Sequence, residues 1–207
     1  MWEVLQYAGA GLLLGSMAGI SPGPLLALVI NQSLKYGRTE GIKISFTPLI
    51  TDLPAILLSV FLISELAEYK PVFGIISFLG AAYIIYLGYE SIASAGKEID
   101  LKEVKTNSLR KGVLTNLLNP HPYMFWITVG TPLMMKANQL SFFSAALFVF
   151  CFYLTIIGSK VIIALIADKS RKFLHGKAYM WTLRILGALL IVLAIILARE
   201  GLNYLTT

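Results

Sequence analysis

Charge is scarce in this chain. Of its 207 residues, 57% are hydrophobic and only 14% are charged, where a water-soluble domain usually carries about 25% charged residues. Such a surface cannot face water on every side. Cysteine is almost missing: Cys151 stands alone, which excludes an intrachain disulfide, a CxxC redox centre and a thiolate metal cage. Only two histidines occur, His121 and His175, and neither belongs to an HExxH sequence, so a zinc protease embedded in the membrane is excluded. No GxxxxGK[ST] loop exists to hold ATP. The net charge of +6 lies between apolar runs, where membrane topology accounts for it, and no nucleic-acid motif accompanies it. No cofactor and no nucleic-acid partner are called for. The first residues lack a basic region, and are read as a retained helix.

What is present is long apolar segments. A bilayer core about 30 Å thick takes roughly 20 apolar residues per helical span. Six spans use most of the chain and leave one membrane domain over 1–207. They are expected at about Val4 to Leu34, Ile44 to Ser64, Val72 to Tyr89, Gly112 to Met135, Phe142 to Ala167 and Tyr179 to Leu197, with a long polar loop from Ser91 to Lys111. The odd-numbered loops hold Lys35, Arg38 and Lys43, then Lys97, Lys102, Lys105, Arg110 and Lys111, then Lys169, Arg171, Lys172, Lys177 and Arg184. The even loops and the tail hold only Lys70, Lys136 and Arg199. Thirteen basic residues against three predict cytoplasmic odd loops and both termini outside a plasma or inner membrane.

Two of the six segments are interrupted in the same way. The first carries Ser21-Pro22-Gly23-Pro24 and the fourth Asn119-Pro120-His121-Pro122. Proline offers no N–H and frees carbonyls, which hydrocarbon tolerates only where protein or a water-filled cavity satisfies them. The chain thus reads as two three-helix repeats, about 4–90 and 112–202, joined by a cytoplasmic loop over about 91–111. An odd number of spans per half inverts the second repeat. Broken helices at matching places in inverted repeats point to a transporter's binding site, so a transporter is expected rather than an enzyme.

These residues resemble a family. Ser21-Pro22-Gly23-Pro24, Leu79-Gly80-Ala81-Ala82-Tyr83 with Leu87-Gly88, and Asn116-Leu117-Leu118-Asn119-Pro120 look like the motifs of the lysine exporter (LysE/RhtB-type) family, in order and across essentially the whole chain. The resemblance implies six transmembrane helices, a homodimer, and export of amino acids or their derivatives driven by the proton gradient. It also points to Asp52 as the membrane acid. The family commonly has Lys after Asn-Pro, where this chain has His121 followed by Pro122, and Pro48 and Pro54 flank Asp52.

The candidate site residues follow from chemistry and position. Asp52 stands about eight residues inside the second span, roughly 12 Å deep at 1.5 Å per residue. A carboxylate there serves as a proton carrier or ammonium ligand, or bonds structurally to a neighbouring helix. Lys160 stands at similar depth and either holds a solute carboxylate or extends its stem to the interface. His121 lies inside the second break, and imidazole titrates near neutral pH; it exchanges protons or caps a freed carbonyl. Ser21, Asn31, Asn116 and Asn119 offer oxygens and amides to a solute or to the broken backbone, beside Pro22, Pro24 and Pro120. Asp52, His121 and Asn119 together offer oxygen and nitrogen to a divalent metal, the alternative cargo. Gly11, Gly15 and Gly19 line one helix face, suited to close packing or dimerisation.

Overall fold

The computed structural model describes residues 2–62, 70–95, 106–171 and 177–206. The loop residues Lys97, Lys102, Lys105 and Lys172, and His175, lie outside them. Every regular element among the described residues is helical: α1 Trp2–Ile20, α2 Pro24–Tyr36, α3 Arg38–Ser45, α4 Thr47–Leu62, α5 Lys70–Ser94, α6 Ser108–Leu117, α7 Pro120–Phe125, a π-helical stretch Trp126–Gly130, α8 Thr131–Leu140, α9 Phe142–Arg171 and α10 Lys177–Thr206. Among the described residues, three helices are long and apolar enough to cross a membrane alone, over Gly74–Ala93, Phe142–Ser170 and Met180–Thr206. The pair α1 and α2 makes a fourth, bent by 63° at its break.

The expected second and fourth spans are built of shorter pieces, and proline explains where they divide. Pro48 has no N–H for the Ile44 carbonyl, and the Thr47 hydroxyl donates to that carbonyl instead. The division between α3 and α4 falls there, so the helix containing Asp52 begins at Thr47 rather than Ile44. The fourth segment is interrupted twice, not once. After the break at Leu118 and Asn119 the helix restarts, then widens so that the Thr131 N–H reaches back to the Trp126 carbonyl. Widening just before Pro132 relieves the clash its ring would make with the Thr128 carbonyl. The fifth and sixth helices run further than hydropathy suggests, with α10 ending at Thr206 rather than Leu197.

Glycine sets the closest helix approaches. Among the described residues, the α1–α9 and α5–α10 contacts are the most extensive. A Cβ on Gly11, Gly15 or Gly19 would strike α9 near Phe148, Phe152 and Ser159 in turn, so α1 and α9 run parallel. The glycine stripe is therefore spent on packing within the chain. Gly88 faces Gly187 and Gly74 faces Gly201, so α5 and α10 run antiparallel. Apolar side chains gain little by leaving lipid for another helix, so small residues that let backbones touch carry such contacts. At Gly37, between α2 and α3, φ is 94°, a conformation glycine adopts without steric cost.

Candidate functional site

The two breaks leave backbone groups without helical partners, and accounting for them builds the site. Pro22 has no N–H to offer the Ala18 carbonyl, and the turn at Gly23 withdraws the next from Gly19. Lys160 of α9 fills both places. Its Nζ donates to the Ala18 carbonyl at 3.2 Å and to the Gly19 carbonyl at 3.0 Å, and the residue is only 4% exposed. The side chain points inward rather than along the route to the interface. Beyond the break, α2 starts at Pro24 with no side-chain cap. The N–H groups of Leu25 and Leu26 there lack intrahelical partners.

The second break is closed by its own neighbours. The Asn119 side chain accepts the His121 N–H at 3.1 Å and caps α7. The Tyr123 hydroxyl donates to the Leu117 carbonyl at 3.1 Å. A Cβ on Gly80 would collide with the Leu118 carbonyl, so glycine at that point of α5 admits the broken backbone.

Between the breaks lies a cavity of about 570 Å³. Its polar lining includes Ser21, Asp52, Asn116, Asn119, His121, Lys160 and Glu200, with Pro22 and Pro24 from the first break. Pro120 is buried at the start of α7 and is not part of the lining. Asp52 is 3% exposed. Its Oδ1 accepts from Asn116 Nδ2 at 3.3 Å and from the Thr51 hydroxyl at 3.5 Å, and its Oδ2 from the Tyr153 hydroxyl at 3.5 Å. Asn116 also donates to Thr51 Oγ1 at 2.6 Å, which ties α6 to α4. Among the described residues no ion pair joins Asp52 to Lys160. Apolar walls come from Leu25, Phe125, Phe152, Ile156, Leu193 and Ile196. The floor at Asp52, Lys160 and Trp126 is buried, whereas Ser21, Pro22, His121 and Ile196 are exposed.

Asn31 lies elsewhere. It donates to the Ser91 hydroxyl at 2.5 Å and accepts from Gln32, in a buried cluster that continues to Ser108. Residues not anticipated from sequence complete the cavity. Glu200 Oε2 lies 3.3 Å from His121 Nε2. It falls beyond the apolar run that ends at Leu197, so only the continuation of α10 brings it to the site. Tyr153 and Thr51 support the Asp52 carboxylate. Trp126 lines the same wall, fully buried, with its indole directed toward the Asp52 carboxylate. Nothing in the sequence separates Trp126 from the other aromatic residues of apolar helices. Among the described residues, no group of three or more His, Cys, Asp or Glu converges as a metal site.

A cavity framed by two broken helices, with buried charges of both signs, is what a membrane translocator requires, and comparison with known proteins decides the class. The model of the LysE type translocator family matches residues 16–201. The chain belongs to the LysE type translocator family. It is thus a multi-pass membrane protein of a transporter family. It is similar to the uncharacterized membrane protein YrhP of Bacillus subtilis, with 29% identity over 131 residues, 56% of this chain and 62% of that protein. It is also similar to the uncharacterized membrane protein PA4757 of Pseudomonas aeruginosa, with 27% identity over 121 residues, 52% of this chain and 54% of that protein. The chain thus spans somewhat over half the length of these curated relatives. No solved structure matches it.

Proposed function

We propose that this LysE-type translocator exports an amino acid or a small zwitterionic derivative, driven by the proton gradient. One observation carries the reading: Asp52 and Lys160, buried and opposite in charge, face one cavity without pairing to each other. Burying an unpaired charge is costly, so a site holding two apart suits a ligand that brings both counter-charges. A zwitterion does so, with its ammonium toward Asp52 and its carboxylate toward Lys160. The uncapped start of α2 adds a second positive pole, since a helix N-terminus favours an anion.

Proton coupling follows from the same geometry. Protonating Asp52 removes the charge that grips the ammonium, and losing the proton restores it. The apolar wall lowers the local dielectric and strengthens both interactions. The neighbouring hydroxyls of Thr51 and Tyr153 and the Asn116 amide stabilise the carboxylate between solutes.

The arrangement we infer is six spans in two inverted three-helix repeats within the plasma or inner membrane, with both termini outside. Helix pairing supports it. The third and sixth spans, α5 and α10, lie antiparallel, as the partners in two inverted repeats would. The first packs on the fifth, and the opening helix of the fourth packs on the second. Thirteen basic residues in the odd loops support the orientation. The homodimer rests on family resemblance, and its interface lies away from Gly11, Gly15 and Gly19, which are covered by α9.

The test is efflux from vesicles holding the purified protein, preloaded with labelled amino acids or with manganese or nickel ions, with and without a proton gradient. Gradient-dependent amino-acid efflux is the expected result. Movement of metal alone would replace the reading with a divalent-metal exporter, and movement of nothing would end it.

A further inference from the structure

Asn31, expected among the solute contacts, belongs instead to a buried polar layer to which solute binding at the cavity assigns no task. Its amide donates to the Ser91 hydroxyl of α5 at 2.5 Å, and that hydroxyl donates to the Leu183 carbonyl of α10 at 3.0 Å. Gln32 joins Asn31 to the Ser108 hydroxyl of α6. One turn further along α2, the Lys35 ammonium donates to the Glu90 carbonyl at 3.5 Å, and the Glu90 carboxylate pairs with Lys111 of α6 at 2.5 Å. Asn31, Gln32, Lys35, Ser91 and Ser108 are each buried, none more than 2% exposed.

The layer stands between the cavity and the basic loops. On α2 and α5 it lies past Leu25 and Gly80, and on α6 and α10 it lies before Asn116 and Leu193. In each helix that is about 9–15 Å from the level of the cavity, at 1.5 Å per residue. All four helix ends lead into the odd-numbered loops, where the basic residues gather.

Its chemistry differs from that of the fixed contacts. Where α1 meets α9 and α5 meets α10, glycines bring backbones together. Burying amides, hydroxyls and a lysine instead costs free energy that hydrogen bonds must offset. Polar side chains at membrane depth mark routes that water or solute takes, since such faces stay wetted when the helices part. The helix that carries Asn31, Gln32 and Lys35 is also hung between two turning points. One is the Pro22-Gly23-Pro24 break, and the other is Gly37, where φ is 94°. Residues at the ends of an element absorb the dihedral change of a hinge.

We propose that this layer is the cytoplasmic gate of the translocator. In opening, α2 swings away from α5 and α10, the hydrogen bonds of Asn31, Gln32 and Lys35 pass to water, and solute enters the cavity along the faces they leave. The gate is shut in this structure. The inference rests on the exporter reading above and on the orientation inferred with it, and it goes beyond both in naming the residues that part.

A disulfide across the layer tests this. In a Cys151→Ala background, Asn31→Cys with Ser91→Cys sets two thiols where two side chains already touch, a separation that a disulfide spans. Oxidation should cut gradient-driven efflux of labelled leucine, phenylalanine and lysine to the level of protein-free vesicles, and dithiothreitol should restore it. Calorimetric affinity of the oxidised protein for the same amino acids should stay within about twofold of that of the reduced protein. Ser108→Cys, in the same background, gives an independent reading and serves where the double variant does not fold. In inside-out membrane vesicles, a membrane-impermeant maleimide should label it about tenfold faster during export than at rest, as the open state gains population. Efflux that persists through complete oxidation, or labelling of Ser108→Cys that export leaves unchanged, overturns the gate while leaving the exporter reading intact. Loss of amino-acid binding on oxidation would make the layer part of the scaffold, and overturns the gate as well. No efflux of any amino acid by the unmutated protein removes both.

Discussion

Lys160→Met removes a charge on which both the fold and the proposed solute site depend, and the two effects differ in size. The ammonium is 4% exposed and donates to the Ala18 and Gly19 carbonyls at 3.2 and 3.0 Å. Hydrogen bonds from a charged donor contribute about 1.5–3 kcal/mol each, so the gross loss is about 3–6 kcal/mol. Two effects oppose it. Methionine does not have to be stripped of water, a relief of several kcal/mol, and water in the cavity can reach part of the freed carbonyls. The net destabilisation should be only about 1–2 kcal/mol, a fall in Tm of about 2–8 °C for a chain of this length. Solute binding has no such offset. A zwitterion entering the mutant site buries a carboxylate without its charged partner, which costs about 3–5 kcal/mol, a loss of a hundredfold or more in affinity. Thermal unfolding in detergent and calorimetric titration of the same preparation measure the two numbers. A lowered Tm with unchanged affinity would make Lys160 a helix cap and nothing more. Unchanged values of both would mean that the ammonium does not sit on the first break.

Two further outcomes test the frame around the site. Gly15→Ala sets a methyl against the Phe152 carbonyl and the Thr155 hydroxyl, whereas nothing lies within 4 Å of a Cβ at Gly9; thermal unfolding should show about 1–3 kcal/mol of destabilisation for the first and none for Gly9→Ala. On the proposed cytoplasmic side, burial pushes the Glu40 carboxyl upward, but hydrogen bonds from Lys43, Thr106 and Ser108 outweigh it and hold the group below the ordinary carboxylate range. Glu40 therefore adds stability that is present above its unfolded value and is lost as pH falls through the lower folded value. Glu40→Gln should flatten the acid side of the pH–Tm profile, and an unchanged profile would show that this link between α3 and Thr106 carries no weight.

The parts of this fold that are legible in the sequence are those governed by local covalent chemistry. Proline lacks its N–H wherever it stands, so Pro22, Pro24, Pro120 and Pro122 announce two breaks without reference to any partner. Membrane burial makes the charges at Asp52 and Lys160 conspicuous for a similar reason. Harder to read are features that depend on a neighbour. The inward course of Lys160 depends on two carbonyls presented by α1, while stem length alone allows the interface equally well. Asn119 is occupied by the His121 N–H, a local cap of the kind such residues more usually supply in lipid, while sequence also admits a ligand role. Glu200 becomes visible only when α10 continues past Leu197, because hydropathy marks where lipid contact ends and not where a helix does. The π-helical turn at Trp126 has no composition of its own; Pro132 permits it and Gly130 gives the ring its seat, but neither residue alone specifies it.

The central claim, that Asp52 couples the solute to the proton gradient, is tested most directly by Asp52→Asn in vesicles preloaded with the exported amino acid. The amide keeps the shape of the carboxyl and its neighbours Thr51, Asn116 and Tyr153, but can neither carry the charge nor exchange a proton. Efflux driven by the gradient should fall to the level of protein-free vesicles in Asp52→Asn, while the unmutated protein responds to the gradient. Gradient-driven efflux that survives the substitution would contradict the claim and move the coupling to another group of the cavity, with the His121 and Glu200 pair the next to be replaced.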